Sequence, residues 1–303
     1  MAKKVKRVTV YLFGGLGNQL FQYFAGVATA EAMDAKLYLK PFGQTSAIGR
    51  EGEIGIAAFK TDGITTSSRI PLRLQEKLLR RFVTLINGYW RGTISRQYGI
   101  FPSDMPELPE MKIGCPRHIR LMGYFQSYKF LHYLERQKKM TSLSLVNPSS
   151  WFANLQDQAL KSKPIVIHIR RGDYLNHTET IGVLGFSYFK SALDMIPQNE
   201  NSEFWIFSDS VDAAKDFAGF AELPEIRTRI VKAPLDSPDA ESMLLLTLGS
   251  SLVMSNSTFS WWGAYLNKNA DFIIVPKKWF KNLEDPANLV PGNWICCESV
   301  WEQ

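Results

Sequence analysis

Residues 164–174, Pro-Ile-Val-Ile-His-Ile-Arg-Arg-Gly-Asp-Tyr, are the part of this chain that most restricts its fold. The apolar, β-branched run that follows the proline is too short for a helix, so it predicts a buried strand. The run ends abruptly in Arg170, Arg171, Gly172 and Asp173. In open α/β sheets, ligands bind beyond the carboxyl ends of the strands. These polar residues therefore mark a candidate binding site at the edge of a sheet.

Two adjacent arginines at a strand end form a fork of permanent positive charge that suits phosphate oxygens. The alternative is that Arg170 and Arg171 face solvent and that Asp173 pairs with one of them. Because guanidinium groups close to a buried strand are costly without an anionic partner, the pattern favours a diphosphate site.

Length and charge are compatible with such a site. The chain has 303 residues, which suit two modest domains, and its formal net charge of +6 favours a nucleotide sugar, a nucleic acid or an anionic lipid as partner. The cysteines (Cys115, Cys296 and Cys297) do not form a disulfide framework, which favours a reducing compartment. The first apolar run ends at Gly14 after about six residues, too early for a signal peptide. We expect no membrane span and a cytoplasmic location.

The first half of the chain has the order of elements that opens a doubly wound domain. A strand at residues 8–13, a glycine-rich turn and a helix at 20–33 precede a second strand at 36–39. Residues 43–68 are predicted to be a loop. A basic amphipathic helix at 72–87 is interpreted as a surface helix, with contact to an anionic membrane face as the alternative.

The second half repeats this alternation of strands and helices. Strands are predicted at residues 165–169, 204–207, around 230, at 252–254 and at 272–275. A boundary between residues 147 and 163 divides the chain into domains 1–150 and 151–303. The fold class is therefore α/β, with two Rossmann-like domains facing a central cleft.

The glycine-rich turn at residues 15–19, Gly-Leu-Gly-Asn-Gln, places backbone N–H groups at a helix N-terminus, where an anion can bind. The alternative is a structural turn in which Asn18 caps the helix. Leu20 replaces the third glycine of a dinucleotide fingerprint, and Lys40 stands where a ribose-binding acid is expected. Both features argue against an NAD(P)-dependent oxidoreductase.

Small polar residues also follow two later strands. Residues 255–263, Ser-Asn-Ser-Thr-Phe-Ser-Trp-Trp-Gly, offer more hydroxyl and amide groups than helix capping alone explains. Trp261 and Trp262 are either core residues or sugar-stacking platforms. Asp209 shares the sheet edge of Arg170 and would bind a sugar hydroxyl or cap a helix. The sequence shows neither zinc-ligand spacing nor an Asp-x-Asp pair, so we predict no metal and no other cofactor.

Several segments, in order, resemble the bacterial α-1,2-fucosyltransferases of glycosyltransferase family 11. They are residues 14–23 (Gly-Gly-Leu-Gly-Asn-Gln-Leu-Phe-Gln-Tyr), 123–127 (Gly-Tyr-Phe-Gln-Ser), 168–174 (His-Ile-Arg-Arg-Gly-Asp-Tyr), 256–264 (Asn-Ser-Thr-Phe-Ser-Trp-Trp-Gly-Ala) and 276–280 (Pro-Lys-Lys-Trp-Phe). The resemblance implies a GT-B fold, in which domain 1–150 is mainly the acceptor side with the glycine-rich loop at the cleft and domain 151–303 binds the GDP-sugar. It also implies an inverting, metal-independent transfer of L-fucose from GDP-fucose to the 2-hydroxyl of a galactoside. We also expect a role in surface polysaccharide synthesis, with an acceptor carried on a lipid and no nucleic acid partner. The basic N-terminal arm, residues 1–7, and the basic helix at 72–87 are the basis for expecting peripheral contact with the inner membrane face.

The same resemblance assigns the site residues. Arg170 and Arg171 hold the diphosphate and stabilise departing GDP, His168 lies against the guanine, and Asp173 and Glu179 are the candidates for the general base. The predicted donor-binding residues are Gly15, Gly17, Asn18, Gln19, His168, Asp209, Glu241, Asn256, Ser257, Thr258, Phe259 and Ser260. If Asp173 paired with Arg171, its role would be structural.

The chain departs from the family pattern at two places. Ser208-Asp209-Ser210 replaces the usual Ser-Asp-Asp, and Glu241-Ser242 stands where an acid directly before the helix is a candidate for recognising guanine. A transferase of a different GDP-sugar is therefore one alternative. A non-catalytic carbohydrate-binding protein is another, although it leaves the paired arginines unexplained.

Overall fold

The structure is a computed structural model that describes residues 6–41, 55–65, 100–102, 117–140 and 142–302. The predicted helix at 72–87 lies outside the described residues, and so does most of the basic N-terminal arm. None of the helices in the described part of the chain combines the length and the apolar character that a membrane span needs.

The chain divides into two compact units. Unit 1 comprises Met1–Ser144 and Pro286–Leu289, and unit 2 comprises Leu145–Asp285 and Val290–Gln303. The predicted boundary at residue 150 is therefore slightly late, because Ser149 is hydrogen-bonded to Glu241 of unit 2. The segment Pro286–Leu289 belongs to unit 1 although it lies late in the chain. It is joined to that unit by a hydrogen bond from the backbone N–H of Tyr128 to the carbonyl of Asn288.

Unit 1 is built on a parallel sheet with the strand order β3-β2-β1-β5-β4. Its elements are β1 (Arg7–Leu12), α1 (Leu16–Met33), β2 (Lys36–Pro41), β3 (Ile64–Thr65), β4 (Ile100–Pro102), β5 (His118–Met122) and α2 (Lys129–Arg136). Strand β3 lies in the segment predicted to be a loop. Two residues are too few to show a strand pattern in the sequence.

The packing of α1 on this sheet follows from small residues in the helix. Val8, Val10 and Leu12 of β1 are completely buried. A Cβ atom on Gly26 of α1 would overlap the Val10 side chain, so only glycine permits this close approach. The sequence expectation of a strand, turn, helix and strand is confirmed here.

Unit 2 carries a second parallel sheet with the strand order β11-β10-β9-β6-β7-β8. The strands are β6 (Ile165–Ile169), β7 (Phe204–Ser208), β8 (Thr228–Val231), β9 (Ser251–Val253), β10 (Phe272–Pro276) and β11 (Ile295–Cys297). The helices are α3 (Ser150–Ser162), α4 (Phe186–Asp194), α5 (Val211–Phe220), α6 (Asp239–Leu246) and α7 (Thr258–Leu266). This is the strand order of a dinucleotide-binding Rossmann fold.

Local signals in the sequence place these elements well. Ser149 caps α3, its Oγ accepting from the Phe152 N–H at 3.1 Å, as the Asn-Pro-Ser-Ser sequence predicts. All five residues of β6 are buried, which confirms the predicted buried strand at 165–169. Strand β11 has no counterpart among the predictions.

Candidate active site

The strand order of unit 2 marks one position in its sheet as the binding edge. From β6 the chain adds β7 and β8 on one side and then returns to add β9 to β11 on the other. Doubly wound sheets bind ligands at the carboxyl ends of the strands where this reversal occurs. Strand β6 ends in the His-Ile-Arg-Arg motif, and β9 leads into residues 255–260. The two motifs predicted to bind the donor therefore meet at one edge.

Arg170 lies between two carboxylates at this edge. Its Nη2 is 2.5 Å from Asp173 Oδ1 and its Nη1 is 3.0 Å from Asp209 Oδ2. The guanidinium carbon also lies 5.5 Å from the centre of the Tyr174 ring. The side chain remains 22% exposed, so a ligand can still reach this cation.

Arg171 makes a different contact. Its two Nη atoms pair with both carboxylate oxygens of Glu302, the Nη2–Oε2 distance being 2.7 Å. This is the bidentate geometry of a strong arginine–carboxylate pair. Asp173 therefore pairs with Arg170 rather than with Arg171. The Arg171 fork binds a carboxylate of the protein in this structure, and its contact with a diphosphate stays a prediction.

Asp209 holds the turn that carries both arginines. One of its oxygens contacts Arg170, and the other accepts from the backbone N–H of Arg171 at 2.9 Å. The adjacent helix α5 is capped by Ser210, whose Oγ accepts from the Ala213 N–H. Asp209 therefore does not cap the helix. Its carboxylate instead holds the Arg170 side chain and the Arg171 backbone in position.

His168 is buried beneath an aromatic ring. It stacks on Phe259 with the ring centres 5.3 Å apart, and its Nδ1 is 3.2 Å from Ser255 Oγ. Burial lowers the pKa of His168 to about 3, with a further contribution from the Arg170 guanidinium. The imidazole is therefore neutral at physiological pH. Phe259 is the more exposed of the two rings and is the better placed to meet a base.

The hydroxyl groups that follow β9 mostly bond to one another. Ser257 Oγ accepts from the Phe259 N–H and caps α7, and Ser260 Oγ lies within hydrogen-bond distance of the carbonyls of Ser255 and Ser257. Thr258 and Phe259 are the partly exposed members of this segment. Internal bonding therefore explains more of the motif than the sequence suggested, and the fully buried Trp261 and Trp262 are core residues.

Asn256 ties this segment to a neighbouring loop. Its Nδ2 donates to the carbonyl of Gly182 at 3.2 Å, and its own carbonyl accepts from the Tyr174 hydroxyl at 3.0 Å. Its Oδ1 is buried without a hydrogen-bond partner in the described part of the chain. An unpaired buried acceptor costs roughly 1–3 kcal/mol, and such atoms recur at functional sites.

The glycine-rich turn of unit 1 is braced from within. Gly15 is the N-cap of α1, so the alternative in which Asn18 caps the helix is wrong. Gln19 is buried, donates to the carbonyl of Gly14 at 2.8 Å and accepts from the Ile56 N–H at 3.2 Å. Gly17 is also buried, which leaves Gly15 and Asn18 as the accessible members of the predicted set.

Comparison with known proteins agrees with this arrangement. The model of the family described as Glycosyl transferase family 11 matches residues 1–296. The chain belongs to glycosyltransferase family 11. The family that the sequence motifs indicated is thereby confirmed.

Relatives of this family 11 protein include two from Escherichia coli. An alpha-1,2-colitosyltransferase is 25% identical over 96% of this chain and 99% of its own length. The O-antigen biosynthesis glycosyltransferase WbnK is 27% identical over 94% of this chain and 98% of its own length. A galactoside 2-alpha-L-fucosyltransferase from Caenorhabditis elegans is 22% identical over 93% of this chain and 74% of its own length.

Solved structures share the fold of the family 11 chain. The NodZ α-1,6-fucosyltransferase soaked with GDP-fucose superposes with a TM-score of 0.56 at 12% identity, covering 93% of this chain and all of that one. NodZ from Bradyrhizobium gives 0.55 at 13% identity, covering 89% and 95% of the two chains. At this identity the likeness concerns the fold, and it confirms the predicted α/β class with parallel sheets.

One predicted donor residue of the family 11 site is fully buried. Glu241, in the first turn of α6, accepts from the Ser149 N–H at 2.6 Å and from the Ser149 hydroxyl at 2.7 Å. Both carboxylate oxygens are thus used to join α6 to the start of α3. The contact of this acid with the donor base stays a prediction, and the interaction that the structure shows for it is structural.

We expect Glu241→Ala to lower the free energy of unfolding by about 2–3 kcal/mol, because it removes both hydrogen bonds that the Ser149 N–H and hydroxyl donate to a fully buried carboxylate. Urea denaturation followed by circular dichroism measures this change. The matched control is Asp212→Ala in the first turn of α5, which removes an exposed charge near a helix N-terminus, worth about 0.3–1 kcal/mol. Equal losses in the two variants would contradict the role given to Glu241.

The candidates for the general base differ in their surroundings. Asp173 contacts Arg170, whereas Glu179 is 82% exposed and lies 3.4 Å from Lys281 on the surface. Burial raises the pKa of Asp239, and the nearby Arg170 guanidinium opposes this effect. Asp239 is therefore a second carboxylate close to Arg170, in addition to Asp173. The sequence had not indicated a role for Asp239.

Among the described residues, no group of three or more His, Cys, Asp or Glu side chains is arranged to hold a metal ion.

Glu302 is the other site residue that the sequence did not reveal. Val300 and Glu302 are hydrogen-bonded to the loop before α4, through the Gly185 N–H and the Val183 carbonyl. Nothing in the local sequence indicates that a distant acid pairs with the fork of Arg171. Glu302 could have been considered only by asking which acidic residue elsewhere in the chain pairs with each of the two arginines.

Proposed function

We propose that this protein transfers L-fucose from GDP-fucose to the 2-hydroxyl of a galactoside, with inversion at the sugar and without a metal ion. The observation that carries the proposal is the partly exposed Arg170 guanidinium at the switch point of a Rossmann-ordered sheet. Relatives named as an alpha-1,2-colitosyltransferase and a galactoside 2-alpha-L-fucosyltransferase support the regiochemistry. A NodZ fucosyltransferase structure that was soaked with GDP-fucose supports the donor class.

The chemistry required is a single displacement. The acceptor oxygen forms a bond to the anomeric carbon as the bond to the diphosphate breaks, the electron pair leaves with GDP, and a carboxylate takes the hydroxyl proton. The sugar passes through an oxocarbenium-like state while negative charge grows on the diphosphate. A fixed cation at that position lowers the barrier, and Arg170 supplies it. Asp173 is the candidate base nearest to this cation among the predicted pair.

A different GDP-sugar is the second candidate donor. It is favoured by the alpha-1,2-colitosyltransferase relative and by the departures at Ser210 and Ser242. Colitose is fucose without its 3-hydroxyl, so the two donors differ by one hydrogen-bonding group. A site that hydrogen-bonds that hydroxyl would reject the deoxy sugar strongly, whereas an apolar site would discriminate weakly.

The test is release of GDP in EDTA from GDP-fucose and from GDP-colitose, each with and without a panel of β-galactosides. We expect release from GDP-fucose that one galactoside stimulates, with the new linkage at the 2-hydroxyl by NMR. Release from GDP-colitose alone would move the assignment to the second donor. Release that requires added Mg²⁺ or Mn²⁺ would contradict the metal-free mechanism.

Saturable glycan binding without any GDP release would instead favour a non-catalytic carbohydrate-binding protein.

A role in surface polysaccharide synthesis is supported by the relative named for O-antigen biosynthesis. The cytoplasmic location, the lipid-linked acceptor and the peripheral membrane contact stay predictions.

A further inference from the structure

Unit 1 has a switch point of its own. From β1 the chain adds β2 and β3 on one side, and β5 with β4 lies on the other. The carboxyl end of β1 leads into Phe13 and Gly14, and that of β5 leads into Gly123 and Tyr124. By the rule that places ligands beyond such strand ends, these residues border a second binding edge.

Tyr124 is an exposed aromatic residue at this edge. Its side chain is 43% exposed, and its ring centre lies 5.0 Å from that of Phe13. Gly14 has a φ of +75°, and a Cβ there would lie 3.1 Å from Asn18 and 3.5 Å from Tyr124. The glycine therefore allows the β1 turn, Asn18 and Tyr124 to approach one another closely.

The backbone beside Tyr124 is strained in a way that explains this exposure. Phe125 has a φ of +52°, a conformation that costs a bulky residue roughly 1–3 kcal/mol. Its side chain is buried and makes an edge contact with Phe130. The left-handed residue thus turns Phe125 into the core while Tyr124 stays outside. Strain of this kind is typical of binding sites.

Two amide side chains complete the group. Gln126 Nε2 donates to Asn18 Oδ1 at 2.8 Å. Gln126 Oε1 and Asn18 Nδ2 make no hydrogen bond with other described residues, so one acceptor and one donor remain beside the tyrosine ring. We call Phe13, Gly14, Asn18, Tyr124 and Gln126 the Tyr124 cluster.

The cluster is held rigidly from below. Gln22, buried in α1, accepts from the Phe13 N–H at 3.0 Å and donates to the Phe13 carbonyl at 3.2 Å. Gln19 holds the Gly14 carbonyl from the same helix. A binding surface that is ordered before the ligand arrives loses less entropy on binding.

The ligand class follows from the chemistry of the cluster. It contains an aromatic face, an amide donor, an amide acceptor and no charged side chain. A nucleoside diphosphate requires cations, whereas a neutral hexose presents a C–H face to an aromatic ring and hydroxyl groups to amides. We propose that the Tyr124 cluster binds a hexose of the acceptor, a galactoside if the function proposed above holds. Asn18 then belongs to the acceptor side rather than to the predicted donor-binding set.

The test measures sugar binding with no donor present, so it does not depend on transfer. Methyl β-galactoside and the other methyl β-hexosides are titrated by saturation-transfer difference NMR, and GDP is titrated by calorimetry. We expect Tyr124→Ala to weaken binding of the bound hexoside by about tenfold, which is about 1.4 kcal/mol. Tyr124→Phe should keep affinity within about threefold, because the ring remains. The matched control is Phe220→Ala, an exposed aromatic residue of unit 2.

The outcomes separate this inference from the proposed function. GDP affinity should be the same in all variants and in the wild type. Unchanged hexoside affinity in Tyr124→Ala, or loss of GDP affinity instead, would overturn the acceptor assignment, as would a wild-type protein that binds none of the hexosides. Failure of the proposed function would appear elsewhere, as no consumption of GDP-fucose by a protein that still binds the sugar through Tyr124.

Discussion

Replacing Arg170 by alanine is expected to lower kcat for fucosyl transfer by about 10²–10³-fold, with a much smaller change in the KM for GDP-fucose. Negative charge on the diphosphate grows as the glycosidic bond breaks, so a fixed cation contributes more in the transition state than in the bound ground state. The variant also leaves Asp173 and Asp209 without their cation, which adds negative charge where it opposes GDP departure. Steady-state kinetics of GDP release measure the effect.

Two further variants make this result specific to Arg170. Arg170→Lys keeps the charge but loses the planar fork, so its kcat should lie between those of the alanine variant and the wild type. Arg136→Ala removes an exposed arginine at the end of α2 and should be as active as the wild type. A folded Arg170→Ala enzyme with kcat within tenfold of the wild-type value would refute the role of Arg170 in leaving-group stabilisation.

Arg171→Ala and Glu302→Ala are each expected to lower kcat by about tenfold, and the double variant should be no worse than either single one. The reason is that the Arg171 side chain binds Glu302, while its backbone N–H is held by Asp209. We therefore expect the pair to act by keeping the Arg170–Arg171 turn in position. A tenfold loss corresponds to about 1.4 kcal/mol in the barrier.

A double-mutant cycle on both kcat and the free energy of unfolding tests this coupling. Contacting residues typically show interaction energies of about 0.5–3 kcal/mol, and the partial exposure of this pair favours the lower end. If Arg171→Ala abolished transfer while Glu302→Ala left it unchanged or raised donor affinity, Arg171 would be a direct diphosphate ligand. Glu302 would then occupy the fork only until the donor binds.

The elements of the fold are largely determined by short stretches of sequence. The β-branched run at Ile165, the alanine-rich helix after the glycine turn and the Ser149 cap each carry a local pattern that predicts one structure. Strands β3, β4 and β11 escaped prediction because two or three residues hold too little pattern. The sequence also indicated the candidate binding edge of unit 2, since that edge follows from the order of strands and the polar residues after them.

The hydrogen-bond and ion-pair partners of the site residues could not be predicted from the sequence in the same way. Arg170 and Arg171 are adjacent and chemically identical, yet one pairs with Asp173 and Asp209 and the other with Glu302, 131 residues away. Glu241 carries a carboxylate that could bind a ligand, but in the structure this carboxylate accepts hydrogen bonds from Ser149, 92 residues away.

Residue patterns within about ten positions were enough to identify the family, the two parallel α/β units and the segments at the edges of their sheets. Which polar groups bond within the protein and which, such as Arg170 and Tyr124, stay accessible to a ligand is a property of the folded chain. That choice depends on how distant segments pack. A hydrogen bond or ion pair between side chains far apart in the chain leaves no periodic signal in the sequence.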